Sequence, residues 1–212
     1  TVHALIGENG AGKSTLMRIL THIYKPDSGE IWLNGQKTNF KTPLEAARAG
    51  IGMVHQEFML YNNLTVYDNI ILGFEEKHGG IFIDKKACRA KIEGICEKYQ
   101  FNIPLDEKIK ELPVAMLQQV EIVKALYRGA EILILDEPTS VLTPSGIRGL
   151  FKAIRFLVDS GKTIIFISHK LGEVFEIADT ITVLKDGKVV ATVRPDEIDE
   201  RGLASLMVGR EV

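Results

Sequence analysis

Gly7-Glu8-Asn9-Gly10-Ala11-Gly12-Lys13-Ser14-Thr15 follows directly on the apolar run Val2-His3-Ala4-Leu5-Ile6. A glycine-rich turn that closes on Gly-Lys-Ser between a buried strand and a helix is the pattern of a phosphate-binding loop. The chemistry requires these residue types. Glycines let the backbone wrap a polyphosphate and turn several N–H groups toward it. The helix that starts near Lys13 adds the positive end of its dipole. Lys13 is placed to meet β- and γ-phosphates as a point charge, and the Ser14 hydroxyl to hold Mg2+. An ordinary glycine-rich turn is the bland alternative. The legible strand before it and the helix from Lys13 to Leu20 after it favour the phosphate loop.

The strand–loop–helix start is the first unit of a longer alternation. Ile51–His55, Glu131–Leu135 and Thr163–Ile167 are short apolar strands, and Pro43–Ala49, Pro144–Val158 and Leu171–Ile177 are helices between or after them. This alternation predicts an α/β fold with a mostly parallel core sheet covered on both faces. Asn34-Gly35 and Asp186-Gly187 mark hairpins, the second joining strands at Thr180–Leu184 and Lys188–Val193. A last helix is expected over Asp199–Val208. From about Glu57 the strand signals thin out. Asp84–Tyr99 carries helical spacing with Asp84 as N-cap, and Pro113 opens a helix to Tyr127. The expected organisation is one domain, with 1–56 and 128–212 as the α/β core and 57–127 as an inserted helical subdomain.

With 212 residues and 45% apolar side chains the chain has material for a full core. Its formal charge of −2 gives no reason to expect a nucleic acid partner. Cys88 and Cys96, two turns apart on one expected helix, lie beyond disulfide reach and suggest a reducing compartment. No signal peptide or membrane-spanning run is visible, so any link to a membrane is expected to run through a partner. The first strand begins at residue 2, which leaves two options: a minimal domain, or residues missing from the front.

Asp136-Glu137 follows at once on Ile132-Leu133-Ile134-Leu135. Carboxylates at the carboxyl end of a buried strand sit where open α/β sheets bind ligands. Asp136 is the candidate Mg2+ holder, through water, and Glu137 the candidate general base for an attacking water. His169 ends a third apolar strand on the same expected sheet edge, in reach of a γ-phosphate. Gln56 ends a fourth, and its amide can serve both Mg2+ and water. His3, His22, His55 and His78 lack such context and are assigned to structure or surface.

Taken together and in this order, the set resembles the ATP-binding cassette family. The resemblance covers nearly the whole chain and includes Ser140-Val141-Leu142-Thr143 in the position of the D-loop. Val54-His55-Gln56, Leu64-Thr65-Val66, Leu126-Tyr127-Arg128-Gly129-Ala130 and the end Met207-Val208-Gly209-Arg210-Glu211-Val212 look like the ATPases of simple-sugar and nucleoside importers. Those proteins commonly carry two cassettes in one polypeptide, and this ending resembles the close of a first cassette. The resemblance implies ATP with Mg2+ and a second cassette, fused or separate. It also implies a transmembrane permease docking near Gln56 and the helical subdomain, an extracytoplasmic solute-binding protein acting indirectly, and a peripheral place on the cytoplasmic face of the membrane.

Two departures stand out. The family's first strands, with the aromatic that stacks on adenine, would precede residue 1, so base recognition is not placed on this chain. The family's signature, Leu-Ser-x-Gly followed by Gln, reads Leu112-Pro113-Val114-Ala115-Met116-Leu117-Gln118 here. Pro113 removes a hydroxyl and an N–H, and Ala115 adds a Cβ where glycine permits close approach. Impaired turnover is therefore expected where this segment caps a partner's ATP. A regulatory cassette with weak turnover is one competing reading, favoured by that segment. A soluble cassette ATPase acting on DNA or ribosomes is another, opposed by the modest 57–111 insertion and the slight negative charge. A simple P-loop kinase would not explain Gln56, Asp136-Glu137 and His169 together.

Overall fold

A computed structural model of the chain describes residues 1–78 and 82–209; the side chain of His78 and the Arg210-Glu211-Val212 ending lie outside the described residues. The chain opens with β1 (Val2–Ile6), the glycine-rich loop and α1 (Lys13–Leu20). Next come β2 (Ile31–Leu33), β3 (Gln36–Thr38), α2 (Pro43–Arg48) and β4 (Ile51–Val54). The middle of the chain holds α3 (Val66–Ile71), β5 (Lys77–His78), β6 (Phe82–Ile83), α4 (Lys85–Tyr99), a 3-10 turn at Ile109–Glu111 and α5 (Val114–Tyr127). Then follow β7 (Ile132–Asp136), α6 (Pro144–Asp159), β8 (Thr163–Ile167), α7 (Leu171–Ile177), β9 (Thr180–Lys185), β10 (Lys188–Val193) and α8 (Glu200–Val208).

Six strands form one sheet in the order β10-β9-β1-β8-β7-β4. All neighbours are parallel except β9 with β10. The central strands are nearly uninterrupted apolar runs because helices cover both faces. One apolar cluster joins Val54, Leu133 and Phe166 of the sheet to Ile70 of α3, Ile92 of α4, Val123 of α5 and Ile154 of α6. A second, on the other face, packs Leu5, Ile134 and Ile167 against Met17 of α1 and Ala46 of α2. A third seats Val174 of α7 and Leu203 of α8 on Ile6 and Val183.

Helix starts follow from short polar side chains. Thr42, Thr65, Asp84, Thr143 and Asp199 each accept a hydrogen bond from a backbone N–H in the first turn of their helix. The helix beginning at Lys13, by contrast, is preceded by Gly12 and has no side-chain cap. Asn34 and Asp186 adopt the left-handed backbone (φ 51° and 49°) that tight hairpins require. The segment 57–110 contains more than helices: β5 and β6 pair as a two-residue ribbon, too short to carry a periodic signal. Pro113 is the residue before the first turn of α5, not part of it, with extended backbone (φ −68°, ψ 151°). Cys88 and Cys96 are both free thiols. Among the described residues, no helix is long and apolar enough to cross a membrane.

Candidate active site

Parallel pairing decides where the site lies. β1, β8, β7 and β4 are consecutive in the sheet and run the same way, so their carboxyl ends share one edge. Those ends deliver, in spatial order, the glycine-rich loop, Ser168-His169, Asp136-Glu137 and His55-Gln56. Residues more than 100 positions apart in the chain therefore meet in one cleft. Asn9, Gly10, Gly12, Lys13, Ser14, Thr15, Gln56 and Glu137 line a volume of about 220 Å³.

The loop folds around its own lysine. The Lys13 ammonium donates to the carbonyl oxygens of Gly7 (2.7 Å) and Glu8 (3.1 Å). Burial pushes its pKa below the ordinary lysine value, while Glu137 and Asp136 pull the other way. Gly7 admits no side chain, because a Cβ there would collide with the Leu184 carbonyl oxygen and lie 3.0 Å from the Ala11 Cβ. Gly12 holds a left-handed conformation (φ 99°, ψ 6°) directly before Lys13. That backbone, with no capping side chain, leaves the first N–H groups of α1 facing the cleft. Glu8, Asn9, Gly10 and Ala11 complete the turn.

The two residues of the acidic pair differ in their partners. Asp136, the last residue of β7, is 7% exposed, and the Ser14 hydroxyl donates to its Oδ1 at 3.4 Å. Two hard oxygen donors side by side are what Mg2+ takes from a protein that leaves its other positions to phosphate and water. The uncapped helix start and the oxygen pair fit MgATP. Glu137 adopts a left-handed backbone (φ 49°), and its N–H donates to Ile167 O at 3.0 Å. Its Oε1 lies 2.8 Å from Nδ1 of His169, whose imidazole is half exposed. Gln56 is exposed at the mouth of the cleft.

Behind this pair lies a polar cluster with no counterpart in the motifs. Glu173, in the first turn of α7, accepts hydrogen bonds from the hydroxyls of Thr139 (2.6 Å) and Ser168 (3.3 Å) at Oε2. Its Oε1 meets the Lys170 ammonium at 3.1 Å. An acidic residue in a first helical turn is commonplace, so nothing in the sequence distinguished it. His55 also has a more specific place than a generic surface. It lines a groove of about 210 Å³ with Met59, Glu121, Lys124 and Arg128, and burial lowers its pKa. His3 is structural, with Nε2 2.8 Å from the Thr182 hydroxyl.

Fold and site together define a P-loop NTPase domain of the α/β class. The chain belongs to the ABC transporter family, which residues 1–140 match. It is 49% identical over 211 residues to the nucleoside import ATP-binding protein NupA of Lactococcus lactis and 45% identical to the ribose import ATP-binding protein RbsA 3 of Rubrobacter xylanophilus. Both alignments take in the whole chain, which spans 42% of each relative's length. Among solved structures it resembles cbiO1 from Clostridium perfringens, part of the ABC transporter complex cbiONQ, with a TM-score of 0.79 and 27% identity. That match covers 98% of this chain and 80% of the other.

Proposed function

We propose that this chain is an ATP-hydrolysing cassette that powers import of a sugar or nucleoside through a membrane permease. The observation that carries this reading is the meeting of Lys13, Ser14, Asp136, Glu137 and His169 along one sheet edge. Nucleoside and ribose import by relatives at 45–49% identity supports the solute class.

Lys13, the loop N–H groups and the start of α1 bind the phosphates of ATP. Ser14, Asp136 and Gln56 would hold Mg2+, which would supply charge neutralisation at the phosphates. Glu137 takes a proton from the attacking water as the bond to the γ-phosphorus forms and the bond to the β–γ bridging oxygen breaks. His169, beside Glu137, donates a ring N–H to an oxygen of the transferring phosphoryl group and stabilises its charge. Residues 57–127 act as the helical subdomain, and Leu112–Gln118 faces ATP held by a second cassette. Pro113 and Ala115 weaken that cap, so turnover depends on the signature of the other cassette. The groove beside His55, Glu121 and Arg128 receives the permease at the cytoplasmic face of the membrane, and a solute-binding protein acts through that permease.

Glu137→Gln tests the reading. The amide cannot accept the water proton, so ATP binding is expected to persist while turnover falls by about two orders of magnitude or more. Single-turnover assays with radiolabelled ATP measure both. Hydrolysis at the parental rate would remove Glu137 from its role.

A further inference from the structure

β7 and β8 are held in register up to Asp136 opposite Ile167, and the Glu137 N–H extends that pairing by one bond. Beyond it each strand turns away, and the two turns carry Glu137 and His169. Three ties connect them, the longest from the Lys170 ammonium to Oγ1 (3.4 Å) and O (3.5 Å) of Thr139. One is the bond between Glu137 and His169 themselves, at the surface. Another is part-buried: Thr139 (1% exposed) and Ser168 (0%) both donate to Oε2 of Glu173. Glu173 thus holds a residue 34 positions before it, from a different element, and Lys170 closes the cluster at Oε1.

We propose that Glu173 is a positioning residue, one that sets the separation of the turns bearing Glu137 and His169. The surface tie cannot do this alone. Glu137 and His169 each have a reactant to meet in the cleft, and the imidazole is half exposed, so the one hydrogen bond between them leaves the separation of their turns under-determined. A scaffold that keeps both turns in place must use other side chains, and the part-buried carboxylate of Glu173 supplies it. The left-handed backbone of Glu137 adds to the need, since a non-glycine residue keeps such a conformation only where its surroundings enforce it. The inference rests on the hydrolytic reading above.

The experiment uses the complete protein containing this chain, with Glu173→Ala, Thr139→Val and the double variant. Displacing a reacting group by about 1 Å costs up to about 100-fold in rate. The expected result is a 10- to 100-fold fall in kcat for Glu173→Ala, with the KM for ATP within about threefold of the parent. Thr139→Val is expected to behave alike and the double variant to lose no more than either single change, since they cut one tie. Thr139→Ser, which restores the hydroxyl, is expected to recover the rate. The 15N signal of His169 Nδ1, which reports its bond to Glu137, should move in both single variants. Unchanged kcat in a folded Glu173→Ala protein overturns the proposal. So does a joint loss of kcat, ATP affinity and thermal stability with the His169 signal unmoved. If the parent itself does not hydrolyse ATP, the hydrolytic reading fails. The His169 signal then decides alone: displaced in Glu173→Ala it sustains the positioning role, unmoved it sinks it.

Discussion

At the scale of single residues, two glycines illustrate opposite constraints. Gly7 sits where any Cβ meets the carbonyl oxygen of Leu184, a backbone atom that cannot step aside without moving β9. Gly7→Ala is expected to destabilise the fold by about 2 kcal/mol, within the usual range for overpacking, and to weaken ATP binding by tilting the loop. Gly94 lies exposed in the middle of α4 with open space where a Cβ would go. Gly94→Ala should stabilise by about 1 kcal/mol through helix propensity alone. Denaturant midpoints at unchanged m-value separate the two cases. The candidate site residues are legible in the sequence, because Lys13 and Ser14 begin a helix, Asp136 ends a strand, and Glu137 and His169 follow within two residues of a strand's end. Glu173 was not legible. Its meaning lies in a hydrogen bond to Thr139 across two elements, and no local spacing encodes that pairing.

Among the elements, the apolar strands were readable because both faces of a parallel sheet are buried, whereas the β5–β6 ribbon has too few residues to show alternation. The most consequential element is α5. Its N-terminal neighbour Pro113 offers neither a hydroxyl nor an N–H, and no side chain caps the helix. The same helix is also part of the scaffold, since Val120, Ile122 and Val123 are buried in the main apolar cluster. Changes confined to its first turn should therefore alter chemistry more than folding. Pro113→Ser combined with Ala115→Gly would restore a capping oxygen, an N–H and close backbone approach. A new N-cap is worth about 1 kcal/mol to the helix. Each recovered hydrogen bond to a charged phosphate is worth about 1.5–3 kcal/mol, or about tenfold to 100-fold in rate. A rise in turnover of about tenfold or more is expected at the site this segment caps, with only a small rise in Tm. If Tm rises and turnover does not, the first turn of α5 does not face ATP.

Over the whole molecule, the nucleotide cleft is where otherwise separate parts converge. The loop before α1 touches β9 through Gly7 and Leu184, Ser14 reaches Asp136 of β7, and Glu137 reaches His169 after β8. A ligand that bridges these groups binds the folded chain and has no site on the unfolded one. Linkage then requires it to stabilise the entire domain, by about 2.7 kcal/mol at 100 times its Kd. For a domain of this size that corresponds to a rise of roughly 5–10 °C in Tm. Lys13→Ala separates the ligand's contribution from the fold's own. The lysine is buried at a desolvation cost, its removal deletes two hydrogen bonds within the loop, and its stem adds little to the apolar core. Those terms oppose one another, so the variant's Tm without nucleotide is expected to stay within a few degrees of the parent. The rise on adding MgATP should be lost, because the positive charge proposed to meet the phosphates is gone. Scanning calorimetry of both proteins, with and without saturating MgATP, measures this. A full ATP-induced rise in Lys13→Ala would mean that the nucleotide is held elsewhere on the molecule.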